Sequence, residues 1–426
     1  MYDISEFTQR AWDLIVVGGG MTGVAAAVTA RRQGLDVLIV EKSGSLGGAA
    51  VTCLINPFMP YSTTVNGQRF ELSRGFFTEL RKILTDIGGY DRETTGENIH
   101  EEYLKIAMDR LVTREGIAVL LHAPLCRVDR ESGRIKAIGV ATKAGVLTFG
   151  AKTFIDATGD ADLAVMAGCP YHLGRADGLC QPMTLCFRIG NVDIPRFKEN
   201  REVLQRKYKE MQQAGKIKNP REDVLIFFTR VDHMLHFNTT RIVRHDPTNP
   251  FDVTAAEMAA REQMLEMYQF LREQAPGFEH AQLLYSASEI GVRESRMIEG
   301  EYVLTELDLR ECVKFEDAIA AGNYDIDIHN PEGSGTSHYY FPAGTWYTIP
   351  YRSLQPKGVN NLLVAGRCIS STHEAQASYR IMPIVTTLGE AAGMAAAVAV
   401  HSGTDVKAID VSLLQSRLRE NGAFLG

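Results

Sequence analysis

The chain is 426 residues long, 45% hydrophobic and 23% charged, with a formal net charge of -7 at pH 7. Those proportions leave room for two or three folded domains and are ordinary for a soluble globular protein. The acidic balance, with no basic stripe, argues against nucleic acid as a partner. In chain order, residues 14–17 form a short β-branched run, the pattern of a strand buried on both faces. A glycine cluster follows, then a helix over 22–33, with Gly34 at its C-cap and Arg31 and Arg32 in its last turn. Residues 37–40 make a second buried strand that ends in Glu41, and strand, helix, strand in one sheet means a right-handed parallel crossover.

Two amphipathic helices are expected at 71–87 and 99–115. The pattern then changes to short strands at 117–121, 125–129, 134–142 and 146–149. Glu131-Ser132-Gly133 and Lys143-Ala144-Gly145 supply the turns of a meander. Residues 153–156 read as another buried strand, ending at Ala157-Thr158-Gly159-Asp160. From Ala161 to Gly344 the pattern is less regular. It holds a strand-like run at 225–229, a helix whose Thr254 and Glu257 suit a capping box, and a loop over 330–341. Residues 361–365 return as an apolar strand, followed by Gly366-Arg367 and an alanine-rich helix to about His401. That helix carries Glu390 and its apolar tract is short, so a buried helix is expected rather than a membrane span. The layout is one nucleotide domain built from both ends of the chain, with a second domain inserted between.

The seven cysteines (Cys53, Cys126, Cys169, Cys180, Cys186, Cys312 and Cys368) include no C-x-x-C pair. Free thiols in a reducing, cytoplasmic setting are expected. The first residues lack a basic start followed by an apolar stretch, so no signal peptide is expected. No His/Cys/Asp cluster has metal-ligand spacing, and no metal site is expected.

Gly18-Gly19-Gly20-Met21-Thr22-Gly23 contains G-x-G-x-x-G directly after a strand and at the start of a helix. The first glycine allows the tight turn, the second lets backbone approach a pyrophosphate, and the third permits close helix packing. The helix start adds unpaired N–H groups and a partial positive charge. Glu41, at the end of the next strand, suits the adenosine ribose hydroxyls and disfavours a 2′-phosphate. Gly47-Gly48 offers a second close backbone approach, and no second G-x-G-x-x-G with a strand before it occurs downstream. Pro383 suits the first turn of the last long helix, and the N–H groups around Met382 would face whatever binds there.

The stretches DLIVVGGGMTGVAAA, VEKSGSLGGAA, FIDATGDADLA and NLLVAGRCISSTHEAQASYRIMPIVTTLGEAAG resemble the FAD motifs of glutathione-reductase-like flavoproteins. EIGVRESRMIEGEYVLT and YTIPYRSLQPKGVNNLLVAGR extend the resemblance, which is greatest to a bacterial group of FAD-dependent oxidoreductases. That group is distantly related to fumarate reductase and succinate dehydrogenase flavoproteins. The resemblance implies an α/β fold: a Rossmann-like FAD-binding domain with a β-meander (1–162 and 346–426) and an inserted α+β substrate domain (163–345). It implies FAD contacts from Gly18, Gly20, Met21, Thr22 and Gly23, from Glu41 and Lys42, and from Gly47, Gly48 and Ala49. Further contacts are implied for Cys126, Ala157, Thr158 and Gly159, and for Arg367, Ile381 and Met382. Many relatives carry Gly-Asp where this chain has Gly366-Arg367.

The implied activity is hydride transfer between a small organic substrate and non-covalently bound FAD. The substrate, the direction and the second electron donor or acceptor are not specified by the residues. Such chemistry needs a base within reach of the substrate proton. His373 is the first candidate, set against the plainer reading of a structural histidine, and His338 is the second. Arg352 is the candidate substrate clamp, with Arg293 and Arg296 as alternatives that would otherwise pair with acids such as Glu294 on the surface. Cys53 reads as a packing residue. A disulfide reductase would need a dithiol and a second nucleotide fingerprint. A flavin-binding or regulatory protein of the same fold without redox turnover is the other reading.

Overall fold

The computed structural model describes residues 3–426. Its largest sheet runs Ala118–Leu120, Val37–Val40, Trp12–Val17, Gly145–Asp156, Arg134–Thr142, Leu125–Glu131, with Leu362–Val364 also paired to Gly145–Asp156. Trp12–Val17 lies parallel to both Val37–Val40 and Gly145–Asp156, so the crossover read from the sequence is present. Leu14 and Val16 pack toward the helices, and Trp12, Ile15 and Val17 pack toward the meander. A strand covered on both faces needs apolar residues at every position, which is what WDLIVV supplies after its acid.

The strands expected at 146–149 and 153–156 are one strand, Gly145–Asp156. Its first half pairs antiparallel with Arg134–Thr142 and its second half parallel with Trp12–Val17. The strand changes partners partway along, so its exposure pattern changes too, and a single period cannot describe it. Leu362–Val364 docks on the second half, at Phe154, Ile155 and Asp156.

Two long helices lie against this sheet, Met21–Arg32 and Met382–Ser402. A Cβ on Gly389 would stand 2.1 Å from the carbonyl oxygen of Thr22, and one on Gly393 2.1 Å from that of Ala26. The helices therefore touch backbone to backbone. The second has the extent read from the sequence, with Pro383 in its first turn. By length and composition it could cross a membrane, yet 94% of its most apolar window is buried inside the protein.

A separate four-stranded sheet runs Ile226–Phe228, Leu235–Phe237, Phe187–Gly190, Gln282–Ser286. It has its own core, with Phe187, Phe237, Tyr208, Phe270 and Phe278, under the helix Pro250–Gln274. That helix is capped by Asn249 rather than by Thr254, whose hydroxyl bonds back to the Pro250 carbonyl inside the helix. Three further expectations fail. The helix expected from 71 begins at Phe76, because residues 62–71 form the hairpin Ser62–Val65 with Gln68–Glu71. The expected loop at 330–341 contains Thr336–Tyr339, paired with Ile326–His329. Glu294 is not a surface acid but has no exposure at all.

Candidate functional site

The glycine loop sits where the parallel strands end. Gly18 has φ +103°, and a Cβ there would lie 2.4 Å from the Ala157 carbonyl oxygen. A Cβ on Gly23 would lie 1.8 Å from the Gly18 carbonyl oxygen. Glycine at both positions is thus set by crowding of backbone on backbone. Gly20 bridges to Gly47, and the Gly47 N–H donates to the Gly19 carbonyl at 2.9 Å. Gly48 follows, and a Cβ on it would stand 2.8 Å from the Gly20 Cα. The two glycine stretches, 18–23 and 47–48, are therefore one structure.

The helix N-termini at Met21 and Met382 meet at this loop, since the Thr22 hydroxyl donates to the Val385 carbonyl at 3.1 Å. Their N-caps, Gly20 and Ile381, provide no side-chain cap. By contrast, Asn249, Thr305, Thr372 and Asp410 cap their own helices. Two uncapped helix starts leave several N–H donors and two positive dipole ends at one place. That donor set suits the phosphates and one electron-rich ring edge of an FAD, so the residues present fit the group.

Glu41 is buried, and its carboxylate accepts from the N–H of Gly19 at 2.5 Å and of Ser43 at 2.7 Å. A carboxylate has about four acceptor positions, which leaves capacity for ribose hydroxyls. Lys42 is exposed and lies 3.6 Å from Glu289. Ala49 is exposed at the start of the short helix Ala49–Thr52. Cys126 is exposed on the meander, its thiol donating to the Gly139 carbonyl at 3.3 Å.

Asp156 organises the second motif: its fully buried carboxylate accepts from the N–H and hydroxyl of Thr158 and the N–H of Ala164. Burial pushes this carboxyl up to about 6, against the pull of those bonds. The third motif closes on the second, because Arg367 contacts Asp160 and the Val292 carbonyl and donates to the Gly159 carbonyl at 2.9 Å. Arg367 is thus a tie between motifs, with its fork already engaged.

His373 opens the helix His373–Tyr379 and is buried. Its Nδ1 lies 2.7 Å from a Glu294 oxygen, and the other Glu294 oxygen accepts from the Gln181 N–H at 2.9 Å. A carboxylate partner on Nδ1 fixes a tautomer that turns the Nε2 lone pair outward. His373 lines a cleft of about 470 Å³ with Ile328, Asn330, Ser337 and Glu374. Sequence reasoning missed Glu294, because its partner lies 79 positions away.

The other two candidates are placed elsewhere. His338 is bonded to Asp325 at 2.5 Å and stacked on Tyr340. The Arg352 fork is spent on Asp317 and lies over the Tyr302 ring, half exposed, so it is no free clamp. Arg296 pairs with Asp162. Cys53 is buried, as a packing residue should be, and burial pushes its thiol up to about 12.

Two curated relatives match over short stretches. Thioredoxin reductase of Ureaplasma parvum is 43% identical over 51 residues, 12% of this chain and 16% of that protein. Dihydrolipoamide dehydrogenase of Chaetomium thermophilum is 39% identical over 59 residues, 14% of this chain and 11% of that protein. The chain thus spans less than a fifth of either relative. Among solved structures, a geranylgeranyl bacteriochlorophyll reductase-like protein from Thermoplasma acidophilum aligns with a TM-score of 0.48 at 13% identity, over 96% of this chain and 84% of that one. The p-nitrophenol 4-monooxygenase of Pseudomonas putida aligns with a TM-score of 0.47 at 10% identity, over 97% and 93%. The family model for FAD dependent oxidoreductases matches residues 13–418, a span that holds the glycine cradle, Glu294 and His373. The chain belongs to the FAD dependent oxidoreductase family.

Proposed function

We propose that the protein catalyses hydride transfer between a small organic substrate and a non-covalently held FAD, with His373 moving the accompanying proton. Bound flavin supplies the two-electron redox step. The residues around the cradle hold its phosphates by backbone N–H groups and its ribose by Glu41. His373 accepts a substrate proton at Nε2, while Glu294 holds the ring and stabilises the imidazolium that forms. A base so placed contributes about 10²–10⁴-fold to rate. The observation that carries this reading is the buried His373–Glu294 pair at the wall of the cleft.

Within flavoproteins, the single nucleotide fingerprint and the meander support placement in the glutathione-reductase-like class, near the fumarate-reductase-related group. A nucleotide domain of 1–162 and 346–426, with 163–345 inserted, is supported by the docking of Leu362–Val364 on the first sheet. The second boundary cuts a small ribbon, since Ala318–Gly322 pairs with Tyr347–Pro350. The unpaired cysteines support a reducing, cytoplasmic setting.

The test is anaerobic: candidate substrates are mixed with the flavin-loaded protein and bleaching of the flavin band is followed. A substrate that bleaches the native protein and bleaches His373→Ala at the same rate removes His373 as the base. A colourless protein that takes up no added FAD overturns the whole reading, and bound flavin that no candidate substrate bleaches favours the non-redox alternative.

A further inference from the structure

Arg293 immediately precedes Glu294, and its guanidinium is served only by neutral groups. It donates to the Pro182 carbonyl at 2.6 Å and to Asn238 Oδ1 at 3.0 Å, and it contacts the Thr184 hydroxyl. No carboxylate pairs with it among the described residues. The nearby acids are committed elsewhere: Asp327 to His329 and Arg380, Glu222 to Arg241, Asp223 to Arg221, and Glu294 to His373.

The surroundings are cationic. Burial, followed by the charges of Arg380, Arg221 and Arg241, holds the Arg293 guanidinium well below its ordinary range, at about 9. Two of these neighbours have donors to spare, because Arg380 Nε and Arg221 Nη1 are buried without a partner. His329 lies within the same field, and its N–H bonds to the Gln181 side chain at 3.3 Å. Gln181 in turn reaches Gln376 at 3.3 Å, and Gln376 donates to the Arg293 carbonyl at 2.8 Å. The cationic group is therefore tied to the segment that carries the His373–Glu294 pair.

A half-buried guanidinium with no acid to offset it is costly to hold, and one set beside further unpaired cationic donors suits a ligand of opposite sign. The Arg293 Nε has no protein partner and Nη2 makes one bond, so the Nε–H and one Nη2 hydrogen are left to donate. Two coplanar carboxylate oxygens match that pair of donors. We propose that Arg293 seats a carboxylate of the substrate, so that the protein acts on a small carboxylic acid. This inference rests on the flavoenzyme reading of the same site.

The test uses the flavin-loaded protein at constant ionic strength. Glutarate, acetate and inorganic phosphate are titrated, with glutaramide as the neutral control, and both the melting temperature and the flavin spectrum are followed. Glutarate or acetate should raise the melting temperature saturably, and glutaramide should not. Arg293→Gln should weaken that response at least tenfold while keeping its flavin, and Arg293→Lys should restore part of it. Equal carboxylate binding by native protein and Arg293→Gln overturns the proposal. So does a response to phosphate alone, or a loss of flavin from Arg293→Gln with carboxylate binding unchanged. Flavin content is scored separately by colour: its absence from native protein counts against the flavoenzyme reading, while the melting shift still decides Arg293.

Discussion

The cradle and the cleft are built by opposite means. At the cradle, Gly18, Gly20, Gly23 and Gly48 let main chain meet main chain, and the recognising groups are N–H donors at two helix starts. Beside the cleft, side chains from distant segments meet: Glu294 with His373 and Gln181 with Gln376. Backbone recognition depends on what is missing from a side chain, so it tolerates no addition. Side-chain recognition depends on a network, whose members are each replaceable at graded cost.

The comparison is broken most severely at Gly23. Gly23→Ala puts a Cβ into the Gly18 carbonyl oxygen, and the expected outcome is a loss of more than about 4 kcal/mol of stability together with the flavin. Flavin absorbance and thermal melting of the purified variant check this, and a coloured, native-like protein would refute the crowding argument. At the cleft, His373→Asn should lower turnover by about 10²–10⁴-fold while the flavin band persists. Loss of flavin along with turnover would erase the distinction between the two regions.

Glu390 gives a third measure. It is fully buried in the closing helix, accepts from the Phe76 N–H at 3.0 Å, and burial pushes its carboxyl up from 4.5 to about 7. A raised folded value means that its contribution is fully present below pH 4.5 and is lost as pH rises toward 7. Relative to Glu390→Gln, the native protein should therefore lose up to about 3 kcal/mol across that window. Parallel pH–stability curves for the two would sink this. Glu41→Arg should weaken FAD binding about tenfold or more, or about 1.4 kcal/mol, as read by fluorescence titration. The smallest contrast is in the second sheet's helix: Asn249→Ala should cost about 1 kcal/mol in chemical denaturation and Thr254→Ala almost nothing.

Legibility followed the same divide. The parallel strands and the glycine cluster could be read because each is a local pattern with one cause. The hairpin at 62–71 carried a readable signal, Asn66-Gly67 directly after the β-branched run Thr63-Thr64-Val65, that the helical pattern beyond it masked. Asn249-Pro250 likewise announced the true start of its helix. The partner change along Gly145–Asp156 was not readable, because it is decided by strands that arrive from elsewhere. Nor was the His373–Glu294 pair, since no spacing rule links a histidine at a helix start to an acid in another segment. Arg352 looked available only because Asp317 lies 35 positions away.

The contact of Gly389 and Gly393 with Thr22 and Ala26 has an implication for biosynthesis. A nascent chain can form the first strands early on the ribosome, but the second wall of the nucleotide pocket is translated only after the whole intervening segment. Until then the apolar flank of Met21–Arg32 lacks its cover, so a chaperone that shields that flank would raise the yield of coloured protein, and stalled translation products would be prone to aggregate.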